Sequence, residues 1–141
     1  MKYLIVLAFF LLSPFLLKSQ EGVVDLAEHK VIFQLTTADT NVHKMLLKQF
    51  GNLLTAAPNT HIEVVCHGPG ISMMQSALSI VHPKITEMKA KGVNFVVCEN
   101  ALRERKVSKE EIVPEANFVK AGILEVIQKQ EQGWTYIRAT Q

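Results

Sequence analysis

Hydrophobic and polar positions along the chain switch repeatedly between a period of two and a period near 3.6. Short apolar, β-branched runs at residues 30–35, 61–66 and 93–98 predict three buried strands. Between the first two, Val42, Met45, Leu46, Phe50, Leu53, Leu54 and Ala57 recur every three or four residues, with His43, Lys44, Lys48 and Asn52 opposite them. That spacing predicts an amphipathic helix, capped by Asp39 or Thr40 and ended by Pro58-Asn59. Residues 71–81 predict a second helix that breaks or kinks at His82-Pro83, resumes over 84–91 and stops at Gly92. A helical turn follows at 101–106, with Asn100 able to cap it. Ser108-Lys109-Glu110-Glu111 has the spacing of a capping box. Residues 117–121 form a weaker fourth strand, 123–132 an amphipathic helix, and 134–138 a final strand at a sheet edge.

Strands alternating with helices imply βαβ units, a mainly parallel sheet of about five strands and helices on both faces. The fold class is therefore α/β, in one domain over residues 20–141. Residues 1–19 read differently. Lys2 precedes an apolar run from Leu4 to Leu17 that ends at Lys18-Ser19, the pattern of a cleavable signal peptide. The run falls short of the roughly 20 residues a membrane span needs, and Ser13-Pro14 interrupts it. The expected location is periplasmic or secreted, with no membrane attachment after cleavage.

Charge narrows the partners. The formal net charge is +2, but Lys2 and Lys18 leave with the leader, so the 13 acidic residues are then balanced. No basic stripe remains, which argues against nucleic acid as a partner. Two cysteines, Cys66 and Cys98, are too few for a disulfide scaffold.

Both cysteines close predicted strands, as Val64-Val65-Cys66-His67 and Val96-Val97-Cys98-Glu99. Sites in parallel sheets form at the carboxyl ends of strands, where loops lead into helices. Cys98 is the stronger candidate nucleophile, because it precedes a helix start and has Arg103, Arg105 and Lys106 downstream. Glu99 opposes a second negative charge. An unpaired cysteine is also an ordinary small hydrophobe, and the residues alone leave both readings open. His67 can supply a hydrogen bond or charge to sulfur on Cys98, or merely line its turn. Gly68-Pro69-Gly70 opens a predicted helix, where backbone N–H groups can hold an anion, but a tight turn also needs glycine. Cys66 is either packing or a resolving thiol that closes a reversible disulfide with Cys98. No Cys-x-x-Cys and no helical His pair groups Cys66, His67 and Cys98 into a metal site, and no cofactor is expected. Met73-Met74 fit a core-facing helix, and Trp134 and Tyr136 an edge strand or subunit interface.

From Val31 to Tyr136 the chain resembles the DsrE/DsrF-like family of sulfur-relay proteins. The resemblance rests on the 30–35 strand, His67-Gly68-Pro69-Gly70, the block from Gly92 through Cys98-Glu99-Asn100, and Gly133-Trp134-Thr135-Tyr136. The Cys-x-x-Ala-Leu-Arg segment at Cys98 is similar to the one holding the sulfur-accepting cysteine of TusD-type proteins. The resemblance implies a three-layer α/β/α sandwich that assembles into homotrimers or hexamers. It also implies that Cys98 accepts sulfane sulfur as a persulfide and passes it between donor and acceptor thiols. His67, Gly68, Gly70, Asn100 and Arg103 are the candidate supporting and binding residues for that cysteine. An exported location and a second cysteine at position 66 both depart from the family pattern. Two rival readings remain: a non-catalytic oligomeric module that binds a small ligand or partner, and a structural protein with a Cys66–Cys98 disulfide.

Overall fold

The computed structural model describes residues 22–140, so the expected leader at 1–19 lies outside the described residues. Five strands, β1 (His29–Leu35), β2 (Thr60–Cys66), β3 (Asn94–Cys98), β4 (Ala116–Val119) and β5 (Thr135–Ala139), form one parallel sheet in the order β4-β3-β2-β1-β5. The helices are α1 (Thr40–Ala56), α2 (His82–Ala90), α3 (Glu99–Arg105) and α4 (Gly122–Glu131).

The strand order explains the layers. From β1 to β4 the chain steps in one direction across the sheet, and it then returns past β1 to place β5 at the opposite edge. Crossovers of one hand that step one way fall on one face, and the single return crossover falls on the other. So α1 and α2 share a face, where Val42, Leu46, Leu47, Phe50, Ile85 and Met88 bury Phe33, Leu35, Val64, Cys66, Phe95 and Val97. The opposite face carries α4 alone, with Val126 packed on Ile32, Val65 and Val96. The result is a three-layer sandwich with one thick and one thin cover.

Four local expectations change. The apolar stripe of α1 is rotated: His43 and Leu47 are buried while Met45 is exposed. His43 is tolerated inside because its ring bonds the Thr37 carbonyl at 2.9 Å. The helix expected over 71–81 is instead a 3-10 turn, Gly68–Met74, followed by a bridge between Gln75 and Ile112 and an irregular turn. That bridge, with the Ser76 N–H donating to the Glu111 carbonyl at 2.8 Å, takes backbone groups that an α-helix would need. Pro83 does not kink a helix but opens α2, where its missing N–H costs nothing. The Ser108/Glu111 capping box forms as expected, although around a 3-10 turn. The fourth strand is shorter and earlier than expected, ending at Val119.

Candidate functional site

Cys98 is the last residue of β3 and the cap residue of α3, and it is 5% exposed. Strand alternation points it toward the α4 face, on the side of Val96. There the backbone N–H of Gly122, the first residue of α4, donates to Cys98 Sγ at 3.2 Å. The approach is close and favours glycine. A β-carbon at position 122 would lie 3.0 Å from Val65 Cγ1, 3.2 Å from His67 Cβ and 3.3 Å from Cys98 Cβ. The sulfur thus sits beneath the N-terminus of a ten-residue helix, where N–H groups and the helix dipole favour negative charge. A pocket of about 220 Å³ opens here, lined by Cys98, His67, Gly68, Asn100, Glu104, Gly122 and neighbouring residues.

His67, Gly68 and Asn100 therefore join Cys98 in one pocket, and the other expected residues do not. Arg103 is exposed and bonds the Asn100 side-chain oxygen, so it reaches the pocket only through Asn100. Gly70 is buried under the end of β1, where an added β-carbon would meet the Leu35 carbonyl oxygen at 2.2 Å. Its N–H donates to the His67 carbonyl at 3.0 Å, so the turn closes on itself instead of cradling an anion. Gly68, at φ +52°, supplies the left-handed residue the turn requires.

Cys66 is a correction of a different kind. In the sheet register it pairs with Val97, not with Cys98, so the two cysteines differ by one residue and face opposite sides. Cys66 is 0% exposed in the thick core, and burial pushes its thiol up to about 12. Both cysteines are free. A disulfide between them would have to pass through the sheet, so neither the resolving thiol nor the structural disulfide is supported.

His67 does not carry the charge expected of it. Burial, and secondarily the positive charge of Arg138, hold its imidazole below the ordinary value of 6.5. Its Nε2 lies 2.8 Å from the Gln34 side-chain nitrogen, and Gln34 Oε1 accepts from the Tyr136 hydroxyl. Glu99 is engaged by Lys109 at 2.5 Å, a contact that lowers its pKa and offsets its charge beside Cys98.

Two features under α4 were not anticipated. Gly122 had a signal, a glycine after an extended segment at the head of an amphipathic pattern. The other had none. Glu63, 1% exposed on β2, accepts from Lys129 at 2.8 Å and from Asn94 at 2.7 Å. Lys129 also approaches Glu125 at 3.6 Å and lies 4.5 Å from the Trp134 ring centroid. Desolvation, then the charge of Glu63, pushes Glu125 above its ordinary value. This cluster ties the last turn of α4 to the sheet while its first turn holds Cys98.

A model of the DsrE/DsrF-like family matches residues 29–139. Among solved structures, a protein of unknown function from Methanobacterium thermoautotrophicum is 25% identical, with a TM-score of 0.75, over 79% of this chain and 99% of that one. A conserved protein of unknown function from Bacteroides thetaiotaomicron shares the fold, with 16% identity and a TM-score of 0.60 over 77% of this chain and 93% of that one. No curated protein sequence matches the chain.

Proposed function

The chain belongs to the DsrE/DsrF-like family, and from that membership we propose that it is a sulfur-relay protein whose Cys98 accepts sulfane sulfur as a persulfide. The observation that carries this reading is the Gly122 N–H directed at Cys98 Sγ, inside a pocket that a small sulfur donor can enter. A backbone donor stabilises anionic sulfur, as a thiolate before the reaction and as a persulfide after it.

The step balances without an added oxidant. Cys98 thiolate attacks the outer sulfur of a donor persulfide, R–S–SH. The new Sγ–S bond forms as the donor S–S bond breaks, and its electron pair leaves on R–S⁻. Cys98 is oxidised to the persulfide level, and the donor is reduced to a thiol. Attack by an acceptor thiol on the outer sulfur of Cys98–S–SH reverses the exchange and regenerates Cys98.

The reading extends to place and assembly. The leader pattern at 1–19 supports action outside the cytoplasm, on extracytoplasmic donor and acceptor thiols. Exposed Ile123, Leu124 and Ile127 on α4 support assembly into a homotrimer or hexamer around the thin face. The test is intact mass before and after exposure of the mature protein to polysulfide. Wild type should gain about 32 Da per sulfur, and Cys98→Ser should gain none. A wild-type protein with a demonstrably free Cys98 and no adduct would point instead to the non-catalytic binding module.

A further inference from the structure

Three side chains, from β5, from β1 and from the residue after β2, form a line that ends at the pocket. Tyr136 on β5 donates its hydroxyl hydrogen to Gln34 Oε1 on β1. Gln34 Nε2 then lies 2.8 Å from Nε2 of His67, the residue that follows β2 and lines the Cys98 pocket. In the register Gln34 pairs with Arg138 of β5 and with Val65 of β2, two residues before His67. The line therefore runs along the α4 face, the side on which Cys98 stands.

We propose that Gln34 is a positioning residue that fixes His67 as the neutral Nδ1–H tautomer, making it a hydrogen-bond donor to sulfur in the Cys98 pocket and not a base. An amide nitrogen can only donate, so the ring nitrogen facing it must present a lone pair. The single proton of a neutral imidazole is then on Nδ1. The Tyr136 hydroxyl donates to the amide oxygen, which leaves the amide nitrogen facing the ring. With its lone pair held by Gln34, Nε2 cannot collect the Cys98 proton. Nδ1–H, which makes no bond among the described residues, is left for a ligand.

The consequence for transfer rests on the persulfide reading. As the donor S–S bond breaks, the electron pair leaves on R–S⁻ inside a pocket whose one acidic wall residue, Glu104, offers that sulfur no stabilisation. A hydrogen bond from Nδ1–H meets that charge without moving a proton to or from the ring. Burial and the Arg138 charge keep a second proton off the ring, so donation comes from the neutral form.

The experiment joins imidazole ¹⁵N shifts with sulfane uptake in the full mature chain. In wild type, His67 should show a protonated Nδ1 and a bare Nε2. Gln34→Glu, whose carboxylate accepts a hydrogen bond from Nε2–H, should invert the pattern and slow uptake on Cys98 by about tenfold. An asparagine amide overlays Nδ1 and a glutamine amide overlays Nε2. His67→Asn should therefore keep uptake within about threefold, while His67→Gln loses about tenfold. A wild-type ring protonated on Nε2, or uptake retained by the glutamine variant and lost by the asparagine variant, overturns the proposal. The tautomer is read without any sulfur chemistry. Absent uptake by wild type with the expected tautomer therefore overturns the pocket role alone and leaves the positioning by Gln34 standing.

Discussion

Cys66 and Cys98 close adjacent strands with the same Val-Val-Cys ending, yet they occupy opposite kinds of environment. Cys66 lies under α1 and α2, within a cover of Phe, Leu, Ile and Met side chains. Cys98 lies under the first turn of the lone helix on the other face, against a backbone N–H and a pocket. The difference is one residue of register, since Cys66 is level with Val97. In a sheet of period two, one residue exchanges the faces. Chemistry follows the thin face because a single helix delivers its N-terminus, and with it a backbone N–H, to the thiol at a strand end. Polar groups follow it too: Glu63, Lys129, Gln34, His67 and Tyr136 all belong to the α4 side or its margin.

The contrast can be broken most directly by alkylation. In native protein Cys98 should react with a small iodoacetamide-type reagent on the order of a hundredfold faster than Cys66, which is reached only through unfolding. In denaturant the two rates should converge, as followed by mass spectrometry of the peptides. Equal native rates would mean that the two environments do not differ as described.

The polar anchor of the thin face gives the next largest effect. Lys129→Met leaves Glu63 and Glu125 together without their cation, and should lower unfolding stability by about 3 kcal/mol. Urea titration measures this loss. A change below about 0.5 kcal/mol would show that Glu63 is satisfied by other groups.

Serine substitution separates the two thiols. Cys66→Ser puts a hydroxyl among apolar side chains and should destabilise the protein by about 2 kcal/mol while leaving sulfane uptake intact. Cys98→Ser keeps a polar partner in the Gly122 N–H, so its stability should fall by less than about 1 kcal/mol while uptake disappears. If the stability costs came out reversed, the assignment of faces would be wrong.

The sequence shows the alternation of elements plainly because each strand is short and β-branched and α1 keeps its period over 17 residues. Cys98 and His67 are legible because they mark strand ends, where loops gather in a parallel sheet. Relations across the sheet are not legible. Whether Cys66 and Cys98 share a face depends on the β2–β3 register, which no local pattern carries. Gln34 and Tyr136 are 102 residues apart and meet only because β5 returns to pair with β1. Residues 71–81 fail for a long-range reason too: apolar content alone does not make a helix when Gln75 and Ser76 bond to the 111–112 segment.

The smallest effects are in pH, and they separate the same two regions by sign. Burial raises the Cys66 thiol from 9.0 to about 12, so the folded state keeps a proton that the unfolded chain releases. Its contribution is complete below 9.0 and is lost as the pH rises toward 12, the loss at pH 10 being about 1 kcal/mol. His67 has the opposite sign. Its folded value lies below 6.5, so the unfolded chain binds the extra proton first, and stability falls as the pH drops below 6.5. Thermal melts from pH 5 to 10 should therefore show an alkaline decline that Cys66→Ala lacks and an acidic decline that His67→Asn reduces. Each variant is compared with wild type at every pH, because lysines and carboxylates elsewhere titrate equally in both. Parallel curves for wild type and Cys66→Ala above pH 9 would mean that this thiol meets solvent, and the thick face would lose the burial that distinguishes it from the thin one.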